Sequence, residues 1–174
     1  MIEEVKQYLW RQFGASIDML QNAIVACPDD LLVSNRRFFY TVYHTLVFLD
    51  LYLTNPPNNF SSPLAYTIQE DPNIPRGALD DVVPDRQYSK HELLGYLQTC
   101  REKCRKVIIG LTEDLSERWI EDDGSEHPRN YAMFELLMYN MRHVQHHTAQ
   151  LYMMLRKEID LAPDWVSYTK DSLT

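Results

Sequence analysis

The sequence lacks several features that mark large classes of protein. Only 5 of its 174 residues are glycine, and it contains neither a glycine-rich phosphate loop nor a Gly-x-Ser-x-Gly nucleophile elbow. No hydrophobic run is long enough to span a membrane, so no membrane partner is expected. The formal net charge is -8, and no stripe of lysine and arginine is available to neutralise phosphates. Nucleic acid is therefore not an expected partner.

Cysteine is also scarce, and its number is odd, at 3 residues. The N-terminal segment is acidic and helical in character, unlike a secretory signal peptide. We therefore expect the protein to work in the reducing cytoplasm. Hydrophobic residues make up 45 % of the chain and charged residues 24 %, which is ordinary for a globular protein. This composition and length predict a single domain over residues 1–174 with a sizeable core.

The apolar periodicity predicts four helices and no strand. The predicted helices cover about residues 2–26, 35–54, 90–111 and 131–157. Either Ser34 or Asn35 can cap the second of these helices. Ser89 and Glu92 form a capping box at the start of the third helix, and Asn130 can cap the fourth.

Residues 55–86 form a long, proline-rich connection between the second and third predicted helices. Irregular segments of this length are uncommon in compact domains and usually serve a purpose. A connection of about 30 residues can run the length of a helix of about 30 Å, so the third helix can start parallel to the second. This predicts an all-α four-helix bundle with a long crossover between helices 2 and 3. The tail after residue 157 is expected to fold back over the end of the bundle.

The second predicted helix is apolar on nearly every side, which indicates that it is buried on more than one face. We expect these faces to serve both the core and a subunit interface, and therefore expect a homodimer. Cys100 and Cys104 lie on the apolar stripe of the third helix. Their spacing is compatible with metal ligation, but small buried cysteines are common in cores, so we interpret them as packing residues.

The fourth predicted helix carries three histidines, at positions 143, 146 and 147. Residues four apart on a helix are offset by about 40° and lie about 6 Å apart, so His143 and His147 point the same way. Their face is otherwise mostly apolar, where an imidazole is costly unless it is bonded. The two explanations are ordinary hydrogen bonds in the core and a shared metal ion. The spacing alone leaves open whether His146 or His147 joins His143.

His44, in the middle of the second predicted helix, is a further candidate ligand. Three imidazoles from two helices leave open positions on a cation, which is typical of a catalytic rather than a structural site. A di-iron bundle site is excluded, because no histidine has a glutamate three residues before it. The sequence after His91 does not fit the His-Glu-x-x-His metalloprotease signature. His91 and His127 are expected at the surface.

A mid-helix histidine in helix 2, a long connection and the motif His-x-x-His-His-x-x-Gln-Leu in helix 4 together resemble the DinB/YfiT-like superfamily of metal-dependent enzymes. The resemblance covers most of the chain, including its tail. It implies an up-down-down-up bundle, often dimeric, with a divalent metal held by His44, His143 and His147. His146 is then left outside the metal site. One departure is Ala149, which stands where the family often has glycine and is expected to narrow the pocket.

Three neutral imidazoles leave a dication with its full charge, so its open positions favour an anion such as hydroxide, thiolate or carboxylate. The resemblance implies nickel or zinc first, then iron or manganese, and relatives that depend on low-molecular-weight thiols. We therefore expect a metal-dependent S-transferase or hydrolase that acts on a small molecule. The alternatives are a non-catalytic, stress-related metal-binding dimer and a metal-free helical module.

The imidazoles of a metal site usually donate their second N–H to an oxygen atom. Asn140, Gln150 and Asp50 are the candidates near the expected site, and the sequence does not choose among them. It also assigns no catalytic residue beyond the three expected metal ligands.

Overall fold

The structure is a computed structural model, and it describes residues 1–114, 116–122, 124, 126 and 128–174. Within these residues the protein is mostly helical. Its helices are α1 (Ile2–Ala26), α2 (Asp29–Ser34), α3 (Arg36–Tyr52), α4 (Lys90–Gly110) and α5 (Met133–Ile159). Its strands are β1 (Tyr66–Ile68), β2 (Val82–Pro84), β3 (Arg118–Glu121) and β4 (Arg129–Ala132). A short 3₁₀ helix covers Pro57–Asn59.

The four long helices α1, α3, α4 and α5 confirm the four predicted helices. Asn35 caps α3, where its side chain accepts a hydrogen bond from the Phe38 N–H at 3.0 Å. The capping box of Ser89 and Glu92 is formed in both directions at the start of α4. The predicted cap of α5 is wrong, because Asn130 lies in β4 and the residue at the N-cap position is Ala132.

The expected all-α fold is also wrong, because two antiparallel hairpins interrupt the connections. β1 pairs with β2 inside the connection between α3 and α4, and β3 pairs with β4 inside the link between α4 and α5. Each strand has only three or four residues. Such short strands cannot show a sustained alternation of apolar and polar residues, which is the sequence signal for a strand.

The short helix α2 lies between the first two predicted helices and was not predicted. Pro28 occupies its N-cap position. Proline is tolerated at the start of a helix, where its missing N–H has no partner within the helix. Asp29 and Asp30 follow in the first turn, where negative charge favours the positive end of the helix dipole.

The core lies between the long helices. α1 packs against α4 and α5, and α3 packs against the same two helices. The largest fully buried side chains include Trp10, Phe13, Ile17, Phe38, Tyr43, Leu46, Leu93 and Leu97. α3 also contacts α2 and β2, so the prediction that this helix is buried on more than one face is confirmed. The subunit interface stays a prediction.

The C-terminal tail folds back, as expected, but it runs along the middle of α1 and α4 rather than over the end of the bundle. The Thr169 N–H donates to the Arg11 carbonyl at 3.0 Å, and the Trp10 indole donates to the Asp171 carbonyl at 2.9 Å. Leu173 is buried in the main core. Among the described residues, no helix is long and apolar enough to cross a membrane.

Candidate metal centre

The three candidate histidines lie on two helices that pack against each other. His44 is in α3, and His143 and His147 are one turn apart in α5. The ring centroid of His44 is 5.2 Å from that of His143 and 4.7 Å from that of His147. The centroids of His143 and His147 are 4.6 Å apart. The structure therefore brings the three predicted ligands together, and their binding of a metal stays a prediction.

The ring nitrogens lie close together, and one pair has the spacing that a shared ion requires. Each of the three residues offers a nitrogen, and these atoms lie within 4.8 Å of one another. Nε2 of His44 is 3.1 Å from Nε2 of His143. Two imidazole nitrogens that each lie about 2.1 Å from one ion are about 3.0 to 3.4 Å apart at tetrahedral or octahedral angles. The donor set, and the spacing of the His44–His143 pair, therefore fit a divalent cation.

In two of the three rings, Nδ1 forms a hydrogen bond with an oxygen acceptor. Nδ1 of His44 lies 2.8 Å from Oδ2 of Asp80, and Nδ1 of His147 lies 3.0 Å from Oε1 of Gln150. Each oxygen accepts the proton at Nδ1, so Nε2 is left as the nitrogen with the free lone pair. Nδ1 of His143 is buried and has no hydrogen-bond partner among the described residues.

Of the three expected partners for these N–H groups, all within the described residues, only Gln150 forms a hydrogen bond with one of the clustered histidines. Asn140 donates to the Leu49 carbonyl at 3.0 Å. The buried Asp50 carboxylate accepts hydrogen bonds from Tyr96 and Lys103. The sequence analysis missed Asp80, because it lies in the long connection, where no periodic pattern indicates which residue meets a helix.

Burial keeps two of the imidazoles neutral. It lowers the pKa of His143 to about 3, and the nearby rings of His147 and His44 add to this effect. Burial likewise lowers the pKa of His147 to about 4, although the hydrogen bond with Gln150 acts in the opposite direction. Both rings are therefore neutral at pH 7, which is the form that binds a cation.

Aromatic side chains pack around one side of the cluster. The Phe48 ring centroid is 4.6 Å from that of His44 and 5.9 Å from that of His143. The Tyr52 ring is 6.0 Å from His143 and 5.3 Å from Tyr139. These rings form an apolar wall on one side of the cluster, and an apolar environment strengthens the attraction between a cation and its ligands.

On the outer side of α5, a recess of about 550 Å³ opens beside His143. Its lining residues are Tyr139, Arg142, His143, Gln145, His146 and Ala149. Ala149 is exposed there, so its methyl group forms part of the recess wall. His146 is also exposed, and its Nε2 lies 3.1 Å from the Gln150 amide nitrogen. Of the three clustered histidines, His143 is the one that lines the recess.

The remaining histidines and cysteines lie away from this cluster or outside the described part of the chain. His91 is exposed at the start of α4, as predicted. His127 falls outside the described residues. Cys100 and Cys104 are fully buried, and burial raises the pKa of both thiols. This environment supports their interpretation as packing residues.

Comparison with known proteins agrees with the motif in α5. The model of the DinB family matches residues 81–167, which is half of the chain. This range contains α4 and the two clustered histidines of α5, whereas His44 lies before it. No curated protein and no solved structure matches the chain. The family match covers enough of the sequence to establish that the chain belongs to the DinB family.

Proposed function

We propose that this protein is a metal-dependent enzyme in which His44, His143 and His147 hold a divalent ion. The observation that carries the proposal is the convergence of three ring nitrogens, from two helices, within 4.8 Å of one another. Membership of the DinB family supports it. We propose nickel or zinc as the metal, with iron or manganese next, and a low-molecular-weight thiol or water as the activated group. The reaction is then S-transfer or hydrolysis.

A divalent ion bound to three neutral imidazoles supplies Lewis acidity, which lowers the pKa of a coordinated water or thiol towards neutrality. The chain's own residues prepare the site for this chemistry. Asp80 and Gln150 accept the Nδ1 protons of two rings. Phe48 and Tyr52 shield one side of the cluster. Arg142 lines the recess on the other side, and its positive charge suits an anionic small-molecule substrate.

We also propose that the four long helices form an up-down-down-up bundle. The packing of α1 and α3 against both α4 and α5 supports this arrangement. The connection between α3 and α4 is long enough to return along the helices. It therefore allows α4 to run parallel to α3.

We further propose a homodimer that works in the cytoplasm. All three cysteines are free and buried, which suits a reducing compartment. The interface was expected on α3, but residues 38–52 of that helix are buried or half-buried within the chain itself. Met138, Tyr139 and Met153 instead expose apolar surface on the outer side of α5, and such surface suits a protein contact. Sedimentation velocity over a range of concentrations tests the oligomeric state, and a monomer at all concentrations would contradict the dimer.

Metal analysis of protein purified without a histidine tag tests the metal site. Titration of the metal-free protein with zinc or nickel should give one tightly bound ion per chain. The His147→Ala variant should lose this ion, because two imidazoles remain of three. The His91→Ala variant is the matched control and should bind as the wild type does, since His91 is exposed at the start of α4. A wild-type protein that binds neither metal contradicts the proposal.

A second experiment separates catalysis from metal storage. Metal-loaded protein is mixed with a low-molecular-weight thiol and an electrophile, or with an ester, and product formation is followed. Turnover that disappears in the His147→Ala variant supports the enzyme. Absence of turnover in both assays, with a large loss of thermal stability when the metal is removed, would instead support the non-catalytic alternative.

A further inference from the structure

The Asp80 carboxylate links the histidine cluster to the connection between α3 and α4. Its Oδ2 accepts the Nδ1 proton of His44 at 2.8 Å, and its Oδ1 accepts the backbone N–H of Val82 at 3.1 Å. The side chains of His44 and Asp80 are only 14 % and 25 % exposed. A single side chain therefore joins a candidate metal ligand to the first residue of β2.

The segment around Asp80, residues 77–84, makes a second contact with α3. The Arg37 guanidinium donates to the carbonyls of Gly77 and Ala78, each at 3.2 Å. Arg37 and His44 are seven residues apart, which places them on the same side of a helix. Gly77 has a φ of +102°, a conformation that residues with a side chain rarely adopt. The segment is thus attached to one side of α3 at two points, Gly77–Ala78 and Asp80.

We propose that Asp80 is a positioning residue of the metal centre, and that metal binding in turn holds residues 77–84 against α3. The proposal rests on the proposed metal site and adds a residue and a segment that act on it. A carboxylate behind a ligating imidazole fixes its tautomer, orients its ring and makes Nε2 a better donor. Coupling between two events is reciprocal, so a contact that favours metal binding is itself favoured by the metal.

The first measurement is the zinc affinity of the metal-free protein, by competition with a chromophoric chelator. The Asp80→Ala variant should bind zinc about 10- to 100-fold more weakly than the wild type, the range typical for loss of such a partner. Asp80→Asn keeps an oxygen acceptor of the same shape without its charge, so its affinity should be intermediate. Asp81→Ala is the matched control, because the neighbouring carboxylate is exposed, and it should bind as the wild type does.

The second measurement separates positioning from a general effect on folding. Nitrogen NMR shifts of His44 in the metal-free protein should report a proton at Nδ1 in the wild type and in Asp81→Ala. In Asp80→Ala the two tautomers should both be populated. Hydrogen exchange of the amides of residues 77–84 should slow on zinc addition in the wild type, and should slow much less in Asp80→Ala.

The outcomes distinguish this proposal from the proposed function. If the wild type binds zinc and Asp80→Ala binds it equally tightly, with the same His44 tautomer, Asp80 has no positioning role and the metal site stands. If the wild type and Asp81→Ala bind no zinc, the proposed metal site itself is contradicted, and the role of Asp80 is contradicted with it. If zinc leaves the exchange of residues 77–84 unchanged in the wild type, the coupling of this segment to the metal is overturned.

Discussion

The three clustered imidazoles differ in what holds each ring. His44 has the charged acceptor Asp80, and His147 has the neutral acceptor Gln150. Nδ1 of His143 is buried without a partner among the described residues, so its ring is oriented by packing against Phe48 and by its neighbours in the cluster. We therefore expect the acceptors behind the other two rings to control the metal affinity.

Replacement of Gln150 by alanine tests the neutral acceptor. We expect the zinc affinity to fall about 10-fold, at the lower end of the range for loss of such a partner, because the lost hydrogen bond is uncharged. Gln150→Glu keeps an oxygen at the same position and should retain the wild-type affinity or exceed it. Isothermal titration calorimetry of the metal-free variants measures the difference. An alanine variant as tight as the wild type would contradict the role of Gln150.

The spacing of the histidines left open whether His146 or His147 joins His143, and a variant of His146 tests this. Its ring is exposed, and its Nε2 lies beside the Gln150 amide rather than in the cluster. We expect His146→Ala to keep one metal ion per chain, whereas His143→Ala should lose it. Metal content after extensive dialysis gives the answer. Loss of the ion in His146→Ala would show that His146 is a metal ligand and would contradict the proposed site.

Much of this cluster could be predicted from residue spacing, because a helix fixes which side chains share a face. The pair in α5 follows from its four-residue interval, and the position of His44 in the middle of an apolar helix marked it as a third member. Asp80 could not be predicted in this way. Its contact with His44 spans 36 positions of the sequence and depends on the path of an irregular connection, which local patterns do not determine.

At the scale of the helices and strands, the strength of the local sequence pattern explains which elements were predicted. The long helices bury stripes that repeat over several turns, and α4 also has a capping box, so each carries a strong local signal. The hairpins have strands of three or four residues, most of which are exposed or half-buried. Their stability comes from the elements on which they pack: β2 contacts α3, and β3 contacts α5.

The capping box of α4 gives a prediction with a defined pH dependence. Hydrogen bonds from Arg86 and Ser89 lower the pKa of Glu92 from its usual 4.5 to about 2. A depressed pKa contributes stability above pH 4.5, and this contribution is lost as the pH falls towards 2. Glu92→Gln should therefore have a lower Tm than the wild type at pH 7, and the difference should shrink between pH 4.5 and 3. A difference that stays constant over this range would contradict the assignment.

For the whole molecule, the tail and the candidate metal centre lie mainly on different helices, although Tyr152 of α5 also donates to the Asp164 carbonyl in the tail at 3.5 Å. The tail contacts α1 through Trp10 and Arg11 and α4 through Arg101 and Arg105. The histidine cluster lies between α3 and α5. A change that weakens the docking of the tail should therefore lower the free energy of unfolding while the metal centre keeps its ligands.

Gly14 is the position where this separation can be tested. A Cβ atom at Gly14 would lie 2.5 Å from Cγ2 of Thr169 and 2.9 Å from its Cβ, whereas a Cβ at Gly95 in α4 would meet no atom within 4 Å. Alanine is favoured over glycine inside a helix by about 0.5–1 kcal/mol, so Gly95→Ala should stabilise the protein by about that amount. Gly14→Ala should instead destabilise it by about 1–3 kcal/mol, because Thr169 and the tail must move.

Urea unfolding of the metal-free variants measures both changes, and zinc titration of each folded variant measures the site. We expect the two alanine substitutions to have opposite signs in stability and the same zinc stoichiometry. If Gly14→Ala stabilises the protein as Gly95→Ala does, the tail is not packed against α1. If Gly14→Ala loses zinc while it remains folded, the tail and the metal centre are coupled across the core, and the independence of the two is contradicted.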